Sequence, residues 1–227
     1  MANNTSNDIK VIFLDVNETL LDLTSMRSSV GKALGNNPQL TELWFSKMLH
    51  YSLVSNEINQ YEKFSDIGIA TLLMVAKSKE IPLTQQEAKT AIVTPLRSLP
   101  AHDDVIKGLQ ILKNKGYRII TLTNSSYEGV KLQMNNAQLS PYIDEMYSVD
   151  SVQKFKPSLK SYQWAIKQAG IKPQEAILIA AHGWDIAGAQ KAGLKTAFIA
   201  REGKELFPLS PKPNYNEKTL IDIANKL

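Results

Sequence analysis

The chain has 227 residues, of which 43% are hydrophobic and 21% are charged, a balance typical of globular domains and unlike disordered or collagen-like chains. It contains no cysteine, which excludes thiol nucleophiles, thiolate metal sites and disulfide scaffolds and favours a reducing compartment. The formal net charge is +4, and because the basic residues are scattered along the chain, no nucleic-acid partner is expected.

Short apolar runs predict five buried β-strands, and helical periodicity separates the last four of them. The predicted strands are Val11 to Leu14, Tyr117 to Leu122, Glu145 to Val149, Ala176 to Ala180 and Thr196 to Ile199. Five predicted helices precede, separate and follow these last four strands: Asp103 to Lys115, Tyr127 to Asn135, Ser158 to Ala169, Asp185 to Ala192 and Glu217 to Lys226. This alternation predicts a doubly wound α/β fold with a parallel sheet covered on both faces.

An insertion separates the first strand from the rest of this pattern. Between that strand and Pro100 the sequence shows helical rather than strand periodicity, notably over Leu40 to Ile58 and Glu62 to Lys79. We therefore expect an α/β core formed by residues 1–22 and 97–227, with a helical cap at 23–96. The proline-containing segment Phe207 to Asn216 predicts a surface connection before the last helix.

Polar side chains directly follow several of the predicted strands. In an open parallel sheet, the carboxyl ends of the strands meet at one edge, where ligands bind. The sequence therefore brings a carboxylate, hydroxyl and amide groups, an amine, and an imidazole with a second carboxylate to one edge. These residues are Asp15, Thr123, Asn124, Lys156, His182 and Asp185.

Four motifs, in this order and spacing, resemble the haloacid dehalogenase superfamily: D-V-N-E-T-L-L-D, L-T-N-S-S, K-P-S-L-K-S-Y and W-D-I-A-G-A. The resemblance covers nearly the whole chain and is greatest to the type II 2-haloacid dehalogenases. It implies that Asp15 is a nucleophile paired with Lys156, and that Asp185 orients Lys156 or the hydrolytic water. The residues that it implies around the substrate, or in support of its site, are Asn17, Thr19, Phe45, Thr123, Asn124 and Tyr162.

The implied reaction is the hydrolytic dehalogenation of a short 2-haloalkanoic acid. Asp15 would displace the halide by backside attack, and water would hydrolyse the resulting ester with help from Asp185 and His182. Asp15 follows an apolar strand, so burial would raise the pKa of its carboxyl unless a cation such as Lys156 kept it ionised. The residues themselves thus agree with the implied role of this pair.

Phosphatases of the same superfamily are the main alternative, and two positions argue against them. The phosphatases resemble D-x-D at the first strand, where this chain has Asn17, and carry a further acid where it has Ala181. Magnesium requires enough negatively charged oxygen ligands, and Asn17 cannot protonate a leaving group. We therefore predict a reaction that uses no metal and no cofactor.

Three positions depart from the type II pattern, and one of them is Ala180, where the family often has serine. The cap arginine usual in that family is replaced by Phe45, which the sequence explains equally well as cap packing or as an apolar wall of the substrate site. His182 stands where the family often has asparagine, and we expect it to donate a hydrogen bond towards the leaving halide.

Two other functions stay open on sequence grounds: a magnesium-dependent small-molecule phosphatase and a non-catalytic protein that binds a small anion. No apolar stretch approaches the roughly 18 residues of a membrane span, so we expect a cytoplasmic protein without a membrane partner. The expected partner is a small haloacid substrate, and the sequence leaves open whether the chain forms a homodimer.

Overall fold

A six-stranded parallel sheet forms the centre of the protein in a computed structural model that describes residues 9–227. Its strand order is β3-β2-β1-β4-β5-β6, and every neighbouring pair is parallel. The strands are β1 (Val11–Leu14), β2 (Arg118–Thr123), β3 (Glu145–Ser148), β4 (Ala176–Ala180), β5 (Lys195–Ile199) and β6 (Tyr215–Glu217). The predicted doubly wound α/β fold is confirmed.

Helices cover both faces of the sheet, and five of them lie between β1 and β2, of which the first four form the insertion. These four are α1 (Thr24–Ala33), α2 (Pro38–Glu57), α3 (Phe64–Ser78) and α4 (Gln85–Leu96). The helices that follow are α5 (Val105–Asn114), α6 (Tyr127–Asn136), α7 (Leu159–Ala169), α8 (Gly183–Lys191) and α9 (Leu220–Lys226). No helix among residues 9–227 is both long enough and apolar enough to cross a membrane.

The sequence of strand β1 is a continuous apolar run because both faces of the sheet are covered. Ile12 and Leu14 belong to the hydrophobic cluster on one face of the sheet, and Val11 and Phe13 belong to the cluster on the other. Successive strand residues point to opposite faces, and both faces are covered, so all four side chains are buried. Full burial of one such side chain contributes about 1.5–3 kcal/mol.

Local signals in the sequence explain where the inserted helices begin and how they meet. Helix α2 begins after Asn37, whose side chain accepts a hydrogen bond from the Gln39 amide, and α4 begins with a capping box between Thr84 and Glu87. The buried indole of Trp44 in α2 donates a hydrogen bond to the Gly68 carbonyl of α3 at 2.9 Å. This bond joins two of the four inserted helices.

The sixth strand corrects the sequence-based assignment of the C-terminal segment. We expected five strands, with residues up to 216 in a surface connection and a helix beginning at Glu217. Instead Tyr215–Glu217 pairs with the edge of β5, and α9 begins after Thr219, whose side chain accepts a bond from the Asp222 amide. A three-residue polar edge strand lacks the apolar alternation on which strand prediction depends.

The sheet topology locates the crevice in which a ligand can bind. Strand β1 lies between β2 and β4. Strands β2 and β3 lie on one side of β1 and strands β4, β5 and β6 on the other, so the direction in which successive strands are added reverses between β1 and β4. Doubly wound sheets bind ligands beyond the carboxyl ends of the strands at this point of reversal. The side chains that follow β1, β2 and β4 therefore form the natural candidate site.

Candidate active site

Asp15 directly follows β1 and lies at the centre of the site, with 5% of its surface exposed. Its Oδ2 accepts hydrogen bonds from the Thr19 hydroxyl at 2.7 Å and from His182 Nδ1 at 3.1 Å. Its Oδ1 accepts a bond from Lys156 Nζ at 3.0 Å. A carboxylate oxygen accepts about two such bonds, so Oδ2 is saturated and Oδ1 retains a free lone pair.

Lys156 is buried between two carboxylates. Its Nζ donates to Asp15 at 3.0 Å and to Asp185 Oδ2 at 2.6 Å. Burial by itself would lower the pKa of Lys156, but the two carboxylates raise it above its usual value, so the amine stays cationic. The Asn124 side chain accepts a bond from the Lys156 amide at 2.8 Å and donates to the Lys156 carbonyl at 3.3 Å, which fixes the position of the lysine.

The two carboxylates that share Lys156 have pKa values shifted in opposite directions. Burial raises the pKa of Asp185, and the charge of Asp15 adds to this effect against the influence of Lys156. Burial acts on Asp15 in the same sense, but Lys156, His182 and Thr19 hold the pKa of Asp15 below its usual value. Asp15 is thus the carboxylate that stays ionised, whereas Asp185 is the one better able to accept a proton.

Tyr162 contacts Asp185 from beneath the site. Its hydroxyl donates to Asp185 Oδ1 at 2.6 Å, and burial together with the neighbouring carboxylates raises the pKa of Tyr162 well above 10. The phenol therefore stays protonated and remains a donor. It orients Asp185, and both oxygens of that carboxylate have a hydrogen-bond donor.

His182 bridges two carboxylates. Nδ1 faces Asp15 at 3.1 Å, and Nε2 faces Glu18 Oε2 at 2.9 Å. Burial opposes protonation, but bonds and charges from these two partners raise the pKa of His182 to about 9. At neutral pH the ring is therefore an imidazolium whose two N–H groups both point at carboxylates, a different set of partners from the leaving halide that we expected.

Glu18 is the functional candidate that the sequence reasoning missed. It is 7% exposed, and besides His182 its carboxylate accepts bonds from Arg27 Nη2 at 2.8 Å and Lys204 Nζ at 2.7 Å. Burial would raise the pKa of Glu18, but His182 and Lys204 hold it below its usual value. Its φ is +62°, a strained conformation for a residue other than glycine.

A cavity of about 280 Å³ opens above Asp15, between the sheet edge and the inserted helices. The predicted site residues that line it are Asp15, Asn17, Phe45, Thr123, Asn124 and His182. The predicted residues that do not line it are Thr19, Lys156, Tyr162 and Asp185. These four contact Asp15 or one another instead, so the structure gives Thr19 and Tyr162 supporting contacts in place of a direct substrate contact.

One wall of the cavity carries hydroxyl and amide groups next to the beginning of α6. The Ser125 amide donates to Thr123 Oγ1 at 3.1 Å, and Asn17 Nδ2 donates to Ser125 Oγ at 3.1 Å. The positive end of the α6 dipole lies at this wall, since α6 begins after Ser126. The wall is suited to hold an anionic group such as a carboxylate.

Phe45 lines the cavity on the side of the inserted helices, and two cations lie against its ring. Arg27 Cζ is 5.1 Å and Lys204 Nζ is 5.6 Å from the ring centroid. Both cations also bind Glu18. An arginine at position 45 would place a third positive charge here, which gives a physical reason for the apolar residue.

The acidic residues are not arranged as a magnesium site. Within residues 9–227 no group of three or more His, Asp or Glu side chains is arranged to hold a metal ion. Asn17 uses its amide for Ser125 and Gln133, and Ala181 has no side-chain ligand to offer. These residues do not fit the oxygen-rich coordination that magnesium requires.

Comparison with known proteins gives a consistent result. A family model described as haloacid dehalogenase-like hydrolase matches residues 11–199. The chain is 26% identical over 211 residues to (S)-2-haloacid dehalogenase 4A of Burkholderia cepacia, covering 91% of each chain. It is 26% identical over 213 residues to (S)-2-haloacid dehalogenase of Pseudomonas sp. strain YL, covering 93% of this chain and 91% of that one. The structure of L-2-haloacid dehalogenase from Xanthobacter autotrophicus matches with a TM-score of 0.86 at 22% identity, over 96% of this chain and 97% of that chain.

Proposed function

The chain belongs to the haloacid dehalogenase-like hydrolase family, and we propose that within this family it hydrolyses 2-haloalkanoic acids to 2-hydroxy acids. The observation that carries the proposal is the buried Asp15–Lys156 pair, in which Oδ1 keeps a free lone pair beside the cavity. The names of the Burkholderia and Pseudomonas relatives support the same substrate class.

In the first half-reaction Asp15 Oδ1 attacks the α-carbon of the substrate from the side opposite the halogen. The carbon–halogen bond breaks, halide leaves with its electron pair, and an ester forms between Asp15 and the inverted α-carbon. Lys156 keeps Asp15 ionised before the attack. The substrate carboxylate binds at the wall formed by Thr123 and Ser125, and Arg97, which has no ion pair among the described residues, adds positive charge to the cavity.

The halide leaves towards Trp184, which follows β4 and lines the cavity. Trp184 stacks on His182 with ring centroids 5.0 Å apart, and its indole N–H is buried without an acceptor among residues 9–227. Halide needs no proton to depart. The presence of Asn17 in place of a general acid therefore does not slow this step.

In the second half-reaction water attacks the carbonyl carbon of the ester and gives one proton to Asp185. Negative charge develops on Asp15 Oδ2, which already accepts bonds from Thr19 and His182. When the tetrahedral intermediate collapses, the departing hydroxyl oxygen takes a proton from Lys156, and Asp185 restores it. Asp15 then carries the second proton of the water and loses it to solvent, because its pKa is held low.

The division into a core of residues 1–22 and 97–227 and a cap of residues 23–96 is part of the proposal, and residues 1–8 of that core lie outside the described residues. Helix α1 packs on α4, and α3 packs on both α2 and α4, so the inserted helices contact one another extensively. The cavity has walls from both parts. The cap thereby covers the site and excludes water during the first half-reaction.

A single turnover in H₂¹⁸O, with enzyme in excess over 2-bromopropionate, tests the ester directly. We expect bromide release, and after proteolysis we expect ¹⁸O in the peptide that contains Asp15, because water attacks the carbonyl carbon of Asp15. Chelation with EDTA should leave the rate unchanged. Label found only in lactate would show direct attack of water on the α-carbon, and loss of activity on chelation that magnesium restores would indicate metal chemistry.

A further inference from the structure

The cavity above Asp15 has a polar floor and a broad apolar roof. The floor consists of the polar side chains that line the cavity after β1, β2 and β4, together with the buried Lys156 after β3 and Asp185 after β4, which are joined to Asp15 through Lys156. The roof consists of apolar side chains from α2, α3, α4 and α6 that remain partly exposed. We call the following side chains the roof: Phe45, Leu49, Phe64, Val93, Leu96 and Leu132.

The apolar lining extends along α6, away from the polar wall at the beginning of that helix. Along α6 the cavity is lined by Ser126 at the beginning of the helix and by Leu132 further on. With a rise of about 1.5 Å per residue, Leu132 lies about 9 Å further along the helix axis. Val93 and Leu96, one helical turn apart in α4, line the cavity from the cap. A two-carbon acid bound at Asp15 leaves these side chains uncovered.

The volume of the cavity supports the same conclusion. A cavity needs about 10–15 Å³ to hold one water molecule by this measure, and this one measures about 280 Å³. Haloacetate bound at the floor would fill only a small part of it. Water left against the roof has few polar partners there, so covering the roof with an apolar group is favourable.

We propose that the substrates for which this site is built are 2-haloacids whose α-carbon carries an apolar chain of several carbons. This inference rests on the proposed dehalogenase function. It replaces the short acids expected from the sequence with longer, more apolar ones. The carboxylate and halogen lie at the floor, and the alkyl chain lies against the roof. Each methylene transferred from water to the roof raises kcat/KM about three- to fourfold until the cavity is filled.

The test measures kcat/KM for bromoacetate, 2-bromopropionate, 2-bromohexanoate and 2-bromooctanoate by bromide release. The acids from 2-bromopropionate upwards share a secondary α-carbon, and their reaction rates with a small thiol correct for intrinsic reactivity. We expect 2-bromohexanoate to exceed 2-bromopropionate by at least about tenfold. A flat or falling series would overturn the inference.

A pair of variants identifies the roof as the cause. Leu132→Asn replaces an apolar side chain of the roof with a polar one of similar shape, and should lower the ratio of kcat/KM for 2-bromohexanoate over 2-bromopropionate at least about fivefold. The control is Leu53→Asn, because Leu53 is also exposed on a helix but does not line the cavity. Its ratio should match that of the unmodified protein.

The outcomes separate the two proposals. Bromide release from 2-bromopropionate without a preference for 2-bromohexanoate, or an equal effect of the two variants, would overturn the chain-length inference and leave the dehalogenase function standing. No bromide release from any of the four acids would overturn the dehalogenase function and this inference with it.

Discussion

The floor and the roof of the cavity use side chains in opposite ways. Each charged group of the floor is buried and held by two or more polar partners, as Lys156 is by Asp15 and Asp185. The roof residues, such as Leu96 and Leu132, are partly exposed and make no polar side-chain contact within the described part of the chain. The difference indicates that the floor determines the reaction and that the roof determines which acids enter.

This contrast predicts how substitutions divide. A change in the floor removes one partner of a buried charge and should lower kcat, because a transition-state contact or the ionisation of Asp15 is lost. A change in the roof should act on substrate preference or on stability. Three substitutions test this division, and we expect their effects on catalysis to decrease in the order Asp15→Asn, His182→Asn, Phe45→Arg.

Asp15→Asn should have the largest effect. The amide is a far weaker nucleophile than a carboxylate, so we expect halide release to fall by at least about 10³-fold with 2-bromopropionate. The fold should persist, since the side chain keeps its shape. Circular dichroism and thermal unfolding check the fold, and Asp66→Asn at an exposed position of α3 serves as the matched control. An active Asp15→Asn protein would remove Asp15 from the nucleophile role.

His182→Asn should have an intermediate effect that depends on pH. The pKa of His182 is raised from 6.5 to about 9, so its imidazolium stabilises the folded protein fully below pH 6.5, and this contribution is lost as pH rises through about 9. The loss amounts to roughly 3 kcal/mol of unfolding free energy. Urea unfolding between pH 6 and pH 10 should show this slope in the unmodified protein and much less of it in His182→Asn.

The titration of His182 should also change the rate of catalysis. If His182 donates to Oδ2 as charge develops there, ester hydrolysis should slow as pH rises through about 9, and His182→Asn should lower kcat about tenfold or more at pH 7. Rapid-quench measurement of the two half-reactions would identify the affected step. A variant that slows only halide release, and slows fluoride more than bromide, would instead return His182 to the halide contact expected from the sequence.

Phe45→Arg should have the smallest effect on catalysis and act on stability. It introduces the residue type usual in type II dehalogenases, but here it removes two cation–π contacts and adds a positive charge beside Arg27 and Lys204. We expect a loss of about 1–2 kcal/mol in unfolding free energy and no gain in kcat. Phe45→Leu, which adds no charge, is the control, and equal stability of the two variants would show that the neighbouring cations do not matter.

Much of the floor could be predicted because each of its groups follows a strand whose apolar run is readable. Asp15 and Lys156 follow β1 and β3, and their contact through the sheet edge requires only the parallel topology. Glu18 was missed because its role depends on a left-handed backbone conformation and on His182 and Lys204, which are distant in sequence. Local sequence patterns do not indicate which residues far apart in the chain come into contact.

The roof could be predicted only as a set of amphipathic helices. Periodicity showed that α2 and α3 have apolar faces, but it does not tell which apolar residues pack on a neighbouring helix and which line a cavity. Trp44 and Phe45 are adjacent in α2, yet the first donates to Gly68 in α3 and the second lies against two cations. That distinction depends on the packing of the four inserted helices.

The position of Glu18 between three cations restricts the evolutionary routes open to this active site. If His182 alone is replaced, Glu18 loses one of its hydrogen-bond donors. If Glu18 alone is replaced, three buried or half-buried cations lose their shared counter-ion. Positions 18, 27, 182 and 204 are therefore expected to covary in related sequences.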